Sequence, residues 1–302
     1  MRKFSILVDS SCDLHPDYMK EHDIDVVPMP FTLDDKEYPD GDFREISGAD
    51  FYKALKNGGV AKTTAINPDT YVGIFTEYAK QGKDLIFLCL SSGLSASSDN
   101  SVIAAREVNE AYPNSTIYPI DSSNATGGIG LLTMLTVKKR EEGLSAAETV
   151  NWLNATIQTI LTHFTVDDLH FLHRGGRLSK LSAVAGSLLS VKPLLNISPE
   201  GRLQVKDKAR GRKAALETLV NQMKRGVEPG AEIGIAAISH CDCEEDAMKL
   251  AGMLKEAMNI KHIPVLMMGP IIGAHTGPGA IAMFFESSMT RVEYEEKFYP
   301  KK

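Results

Sequence analysis

The sequence predicts an α/β protein of two domains, with a mostly parallel sheet carrying helices on both faces in the N-terminal part and a mixed α+β unit after it. The first half alternates short β-rich runs with helix-spaced apolar patterns, the signature of strand–helix–strand units around a parallel sheet. One of its strands is a continuous apolar run rather than an in–out alternation, as expected of a strand covered on both sides. Beyond residue 160 two strand patterns follow one another with only a turn between them, which argues for a mixed sheet. At 302 residues the chain is long enough for two cores, and the boundary is placed near 160, giving segments 1–160 and 161–302.

Taken in order, Ser5–Val8 reads as a strand stopped by Asp9-Ser10-Ser11. Pro68-Asp69 supplies a helix start. Asp84–Leu90 is too short for a buried helix and ends in Ser91-Ser92-Gly93, so it reads as a buried parallel strand. Ser115–Ile120 repeats that pattern and ends in Asp121-Ser122-Ser123. Helical spacing covers 96–111, 126–140 and 146–161. Beyond the boundary, 196–205 reads as two strands joined by the turn Ser198-Pro199-Glu200-Gly201. Helix 214–223, strand 233–238, helix 244–258 and strand 262–267 follow. Ligands of parallel sheets sit beyond the carboxyl ends of the strands, and all three N-terminal strands end there in hydroxyl-rich turns.

Composition excludes several classes. With 43% hydrophobic and 24% charged residues the chain is an ordinary globular one. Its 33 basic against 39 acidic residues, a net of −6, provide no global field for nucleic acid or anionic lipid. No run approaches a membrane span, and the apolar run after Met1-Arg2-Lys3 is too short for a signal peptide. Cys12, Cys89, Cys241 and Cys243 form no C-x-x-C pair, so neither a disulfide framework nor a zinc site is expected. A cytoplasmic protein with reduced thiols is the expectation.

Several segments could carry chemistry. Ser91-Ser92-Gly93-Leu94-Ser95 follows a strand and opens a helix, where free backbone N–H groups and hydroxyls suit an anion; a capping role for Ser95 is the simpler reading. Gly93-Leu94-Ser95-Ala96-Ser97 also falls one residue short of the G-x-S-x-G elbow, so a serine esterase using Ser95 with His275 is the alternative. Thr63 and Thr64 place two hydroxyls just before a helix start. Gly175-Gly176-Arg177 offers a turn with a cation suited to a carboxylate or phosphate. The Gly- and Pro-rich stretch 268–279 reads as a loop that holds His275 and Thr276 for hydrogen-bond or proton chemistry. Lys206, Lys208, Arg210, Arg212 and Lys213 form a basic run read as a solvated loop, or as a docking patch for an acidic partner. His170 and His173 have no evident third metal ligand, and no P-loop, H-E-x-x-H or complete dinucleotide fingerprint is present.

Five of these motifs in this order resemble the DegV family, the bacterial fatty-acid-binding proteins also called FakB. They are Asp9-Ser10-Ser11-Cys12-Asp13-Leu14, Ser91-Ser92-Gly93-Leu94-Ser95, Gly175-Gly176-Arg177, Lys192-Pro193-Leu194-Leu195 and Gly273-Ala274-His275-Thr276-Gly277-Pro278-Gly279. The resemblance implies a non-catalytic carrier with no cofactor or metal, holding a long-chain fatty acid whose carboxylate hydrogen-bonds Thr63 and Ser95. Arg177 and His275 would stand near that head group, with Thr64, Ser92 and Thr276 as neighbouring hydroxyls. It further implies a fatty acid kinase as partner, converting the bound acid to an acyl-phosphate for phospholipid synthesis, with no nucleic acid and no integral membrane association. Two departures bear on affinity and chain length: Thr64-Ala65-Ile66 stands where S-Q-P is usual, and Ala96-Ser97-Ser98-Asp99 where G-T-Y-Q is usual.

Overall fold

The computed structural model describes residues 4–39, 41, 43, 45–178 and 191–300. The first strand, β1 (Ser5–Asp9), runs into a single 3-10 turn at Ser10–Cys12, followed by α1 (Pro16–Glu21) and β2 (Ile24–Val27). The Asp9 carboxylate is fully buried and caps that turn, accepting from Ser11 N at 3.0 Å and Ser11 Oγ at 2.5 Å. It also accepts from Leu90 N at 2.7 Å, which ties the end of β1 to its neighbour. The opening acidic motif is therefore a clasp for the sheet's carboxyl edge.

A small antiparallel sheet comes next, from β3 (Phe31–Leu33), β4 (Lys36–Tyr38) and β5 (Ala61–Thr63), with α2 (Gly48–Lys56) inserted before its last strand. None of these strands was evident in the sequence, because strands of three residues show no usable periodicity. Helix α3 (Pro68–Lys80) has Pro at its start and an Asn67 cap. It leads to β6 (Leu85–Cys89), α4 (Ser97–Ala111), β7 (Ile117–Asp121), α5 (Gly127–Glu141) and α6 (Ala146–Thr156). The parallel sheet has the order β2-β1-β6-β7. Every residue of β6 is buried, as a central strand covered by helices on both faces requires.

The helix expected over 146–161 stops at Thr156. A 3-10 turn follows, and Ile160 opens β8 (Ile160–Thr165), the first strand of the mixed sheet. After α7 (His170–Arg174) come β9 (Val191–Ile197), β10 (Leu203–Arg210), α8 (Gly211–Gly226), β11 (Glu232–His240) and α9 (Glu244–Ala257). The chain continues through β12 (Asn259–His262), β13 (Val265–Met267), α10 (Pro270–Thr276), β14 (Ile281–Glu286) and α11 (Arg291–Phe298). The strands are ordered β10-β9-β8-β14-β11-β12, with β13 also on β11. The strand expected over 262–267 is two pieces, both parallel to β11 and separated at Ile263-Pro264, where proline lacks the N–H a ladder needs.

Two further expectations are corrected. The basic run 206–213 is not a loop: it is the end of β10 and the start of α8. The 268–279 stretch is not loop throughout either, because Pro270 starts a short helix carrying Ile271, Ile272 and His275.

Helix α5 joins the two sheets. Its first seven residues are all buried, and it packs on β1 and β6 on one side and β8, β11 and β14 on the other. A Cβ on Gly127 or Gly128 would lie 3.0 or 2.9 Å from the Phe284 ring, so glycine is what lets the mixed sheet approach the helix. One apolar core runs through both parts, from Ile6 and Leu88 to Phe164 and Phe284; a second lies on the outer face of the mixed sheet around Leu219, Leu250 and Phe285.

Candidate functional site

Between the two sheets lies a cavity enclosing about 730 Å³ of space free of atoms, part of it open to solvent. Strand periodicity builds one wall. In β8 and β14, Thr162 pairs with Phe284 and Phe164 with Ala282, and all four face the cavity. The alternate residues, such as Met283 and Phe285, face the second core. Ile197 and Leu203, themselves paired across β9 and β10, continue the same wall. Opposite stand Leu90 from the end of β6, Ala125 before α5, and Ile271 and Ile272 of α10. Most of the lining is therefore aliphatic or aromatic.

Polar groups gather at one end. Thr63, Thr64, Ser95, Arg177, His275 and Thr276 all line the cavity, although they come from four separate stretches of chain. Thr63 Oγ1 and His275 Nε2 are 2.8 Å apart, a contact across 212 positions. Ser95 Oγ accepts from Ser97 N at 3.2 Å and lies 3.1 Å from Ser97 Oγ, so it both orders the start of α4 and faces the cavity. Arg177 is held by its own turn: Nε donates to Leu94 O at 3.1 Å and Nη1 to Gly175 O at 2.5 Å. The guanidinium is thus fastened to the Ser91–Ser95 turn. That turn in turn grips the β9–β10 hairpin, since Ser91 Oγ donates to Gly201 O at 2.9 Å.

Ser92 does not join this group. Its side chain is exposed and donates to Asp121 Oδ2 at 2.6 Å, on a different surface hollow with Asp99 and Arg202. Thr276 lines the cavity while donating to Ile272 O at 3.0 Å, the helical back-bond of a buried threonine. The two departures from the family motifs touch one another: Ile66 N donates to Ser97 Oγ at 3.1 Å, and Asn100 Nδ2 to Ile66 O at 2.8 Å. Side chains at the start of α4 thereby satisfy both backbone groups of Ile66.

Burial and the nearby Arg177 and Arg174 hold His275 down to a pKa of about 4, so the imidazole is neutral near pH 7. Its Nδ1 is buried without a hydrogen-bond partner among the described residues. The hydrogen bond a serine hydrolase needs between nucleophile and base is made here by Thr63 instead. Ser95 is engaged with Ser97 and lies well beyond the last residue of β6, not at a strand-to-helix corner. The esterase alternative is not favoured.

The basic run does not form one free patch. Lys206 pairs with Glu295, and Arg212 Nε with Asp246 at 2.9 Å, leaving Lys208, Arg210 and Lys213 exposed. No group of three or more potential metal ligands is found among the described residues. Among them, too, no helix is long and apolar enough to cross a membrane.

Reading from sequence missed the apolar lining and two hydroxyls within it, Thr126 and Thr162. A period-two reading of Thr162–Phe164 and Ala282–Phe284 would have found the wall. A model of the DegV family, described as uncharacterised proteins, matches residues 3–288. A DegV domain-containing protein of Clostridium perfringens is 38% identical over 286 residues, covering 94% of this chain and 98% of that one. Among solved structures, a DegV lipid-binding protein of Thermotoga maritima superposes with a TM-score of 0.84 at 27% identity, covering 96% of this chain and 100% of that one. A DegV family protein of Thermus thermophilus, described by its fatty acid binding, gives 0.84 at 26% identity, covering 95% and 100%.

Proposed function

The chain belongs to the DegV family, and from that premise we propose that it is a carrier of a long-chain fatty acid and not a catalyst. The observation that carries this reading is the cavity itself: apolar through most of its lining, with hydroxyls, a neutral imidazole and a guanidinium collected at one end. The fatty acid and lipid binding described for the Thermus and Thermotoga relatives supports it.

The tail supplies the affinity. Burying a sixteen-carbon chain at about 0.8 kcal/mol per CH₂ is worth on the order of 12 kcal/mol gross, from which ordering and immobilisation subtract several kcal/mol. The carboxylate would be costly to bury unpaired, and the hydroxyls of Thr63 and Ser95 are its donors. The neutral imidazole sets the polarity of that site. When His275 Nε2 carries the proton it donates to Thr63 Oγ1, which turns the Thr63 hydroxyl proton towards the ligand. Arg177 adds a positive charge at the same end.

In the same reading the carboxylate, held at the open end, is presented to a cytoplasmic fatty acid kinase, which makes the acyl-phosphate used in phospholipid synthesis. The purified protein should release close to one equivalent of long-chain acid into organic solvent, read by mass spectrometry. The stripped protein should take one up on incubation. Absence of both overturns the carrier. Trapping the kinase product from loaded protein with hydroxylamine tests the later step: no acyl hydroxamate formed with ATP and kinase would remove it.

A further inference from the structure

We propose that Phe284 is the end stop of the cavity and sets the longest acyl chain that the protein holds at full strength. The proposal rests on the fatty-acid reading and adds to it the residue that selects chain length.

The polar end and Phe284 are separated along one strand. Thr276, beside His275, has its Oγ1 3.3 Å from Cys241 Sγ, and Cys241 N donates to Ala280 O at 2.9 Å. The polar end of α10 is therefore level with the residue just before β14. Phe284 lies four residues further along, about 13 Å away at about 3.3 Å per residue. An extended chain advances about 1.2 Å per bond, so about eleven bonds reach it. The ladder closes there. Its rungs Phe164–Ala282 and Thr162–Phe284 face the cavity; the next on that face, Ile160–Glu286, contributes nothing to the lining, and Glu286 is exposed.

The closed end is firmly built. Phe284 is fully buried, and its ring lies against the glycines that open α5, where a Cβ on Gly127 or Gly128 would stand 3.0 or 2.9 Å away. Beside it, Thr162 Oγ1 donates to Asn124 Oδ1 at 2.5 Å. The buried Arg291 ties three segments together at this end. Its Nε donates to Ile160 O at 3.1 Å, and its Nη1 to Ser123 O at 2.6 Å and Ser198 O at 3.2 Å. A guanidinium is costly to bury without such partners, and here its carbonyls come from the start of β8, the approach to α5 and the β9–β10 turn. Packed interiors give little room to an extra methylene, so a chain that outgrows the cavity meets a wall.

The test offers stripped full-length protein an equimolar mixture of straight-chain saturated acids, dodecanoic to docosanoic, and quantifies bound against free acid by mass spectrometry. Up to the stop, each added methylene should raise affinity about fourfold; beyond it the gain should vanish or reverse. Phe284→Ala should make the best-bound chain about two to four carbons longer, the room the ring vacates. Phe284→Leu should shift it the same way by less. Phe164→Ala, one rung nearer the head group, should weaken the long chains alike and leave the best-bound length where it was. A wild-type affinity that climbs unbroken through docosanoic acid overturns the end stop, and that measurement needs no variant to fold. So does a best-bound length that stays put in both Phe284 variants, or that Phe164→Ala moves as far. If no acid is taken up at all, the carrier reading fails and the end stop with it.

Discussion

On the carrier reading proposed above, Ser95 and Thr63 separate the head group from the tail in energy. Each hydroxyl already has a partner within the protein, Ser97 for one and His275 for the other, and those partners fix its orientation before any ligand arrives. A hydrogen bond to a charged group is worth about 1.5–3 kcal/mol. Ser95→Ala should therefore weaken binding of a long-chain acid roughly ten- to a hundredfold. It should leave binding of the corresponding methyl ester within a factor of about two, because the ester brings no charge to pair. Titration of both ligands in parallel checks this; equal losses for acid and ester would remove Ser95 from the head-group site. His275 adds a pH signature. Its folded pKa of about 4 lies below the ordinary histidine value of 6.5, so the unfolded chain takes up the proton first. Stability from this group is full above pH 6.5 and is lost as pH falls from 6.5 to 4, at about 1.4 kcal/mol per pH unit. Relative to His275→Gln, the wild-type protein should lose stability across that window in chemical denaturation, and parallel pH profiles would show that the imidazole is not held neutral.

At the scale of elements, the mouth depends on how closely two short helices approach. A Cβ on Gly175, which ends α7, would lie 2.2 Å from His275 Nδ1 on α10, so one of the two must shift. Gly175→Ala should push the imidazole away from Thr63. We expect weaker acid binding together with a loss of about 1–3 kcal/mol of stability, the usual cost of overpacking. A crystal structure of the variant with the His275–Thr63 contact intact would contradict this account. The same packing logic explains α5, whose glycines sit against Phe284 and whose opening turn is buried on every side. Such a helix belongs to neither sheet alone.

Across the whole molecule, the ligand would sit where the two sheets meet, touched by β8, β14 and β9 on one side and by α10 and the end of β6 on the other. Occupancy should then couple to global stability. At a free ligand concentration one hundred times the dissociation constant, binding adds about 2.7 kcal/mol. Delipidated protein should melt several degrees lower than loaded protein by calorimetry, and identical transitions would show that the folded state binds no ligand. Acid stability is a balance at this scale. His163, driven down to about 3 by burial, works in the same direction as His275. Asp13, raised to about 7, works in the opposite one, since its contribution is present at low pH and lost as pH rises from 3.8 to 7. Asp13→Asn should therefore steepen the acid-induced loss of stability below pH 6.5, read as midpoint shifts in denaturant; a shallower profile would reverse the sign assigned to the carboxyl.

Much of this architecture was legible in the residues alone. The apolar runs at Ser5 and Asp84, the hydroxyl turns that follow them and the helices between them are local patterns, and local patterns survive folding when the core agrees with them. Five short motifs were legible for the same reason, four of them at turns or element ends and one, Lys192-Pro193-Leu194-Leu195, within β9. What only the tertiary structure decided are relations between distant segments. The bond from Thr63 to His275, the turning of Ser92 towards Asp121, and the pairing of Lys206 with Glu295 and of Arg212 with Asp246 all join residues far apart in sequence. The strands around residues 24–63 and the start of β8 at Ile160 were also settled there, because segments of three to six residues take their conformation from the neighbours they pair with. Sequence periodicity encodes which face of an element is greasy; which two faces enclose a cavity depends on how whole sheets dock, and no single segment carries that.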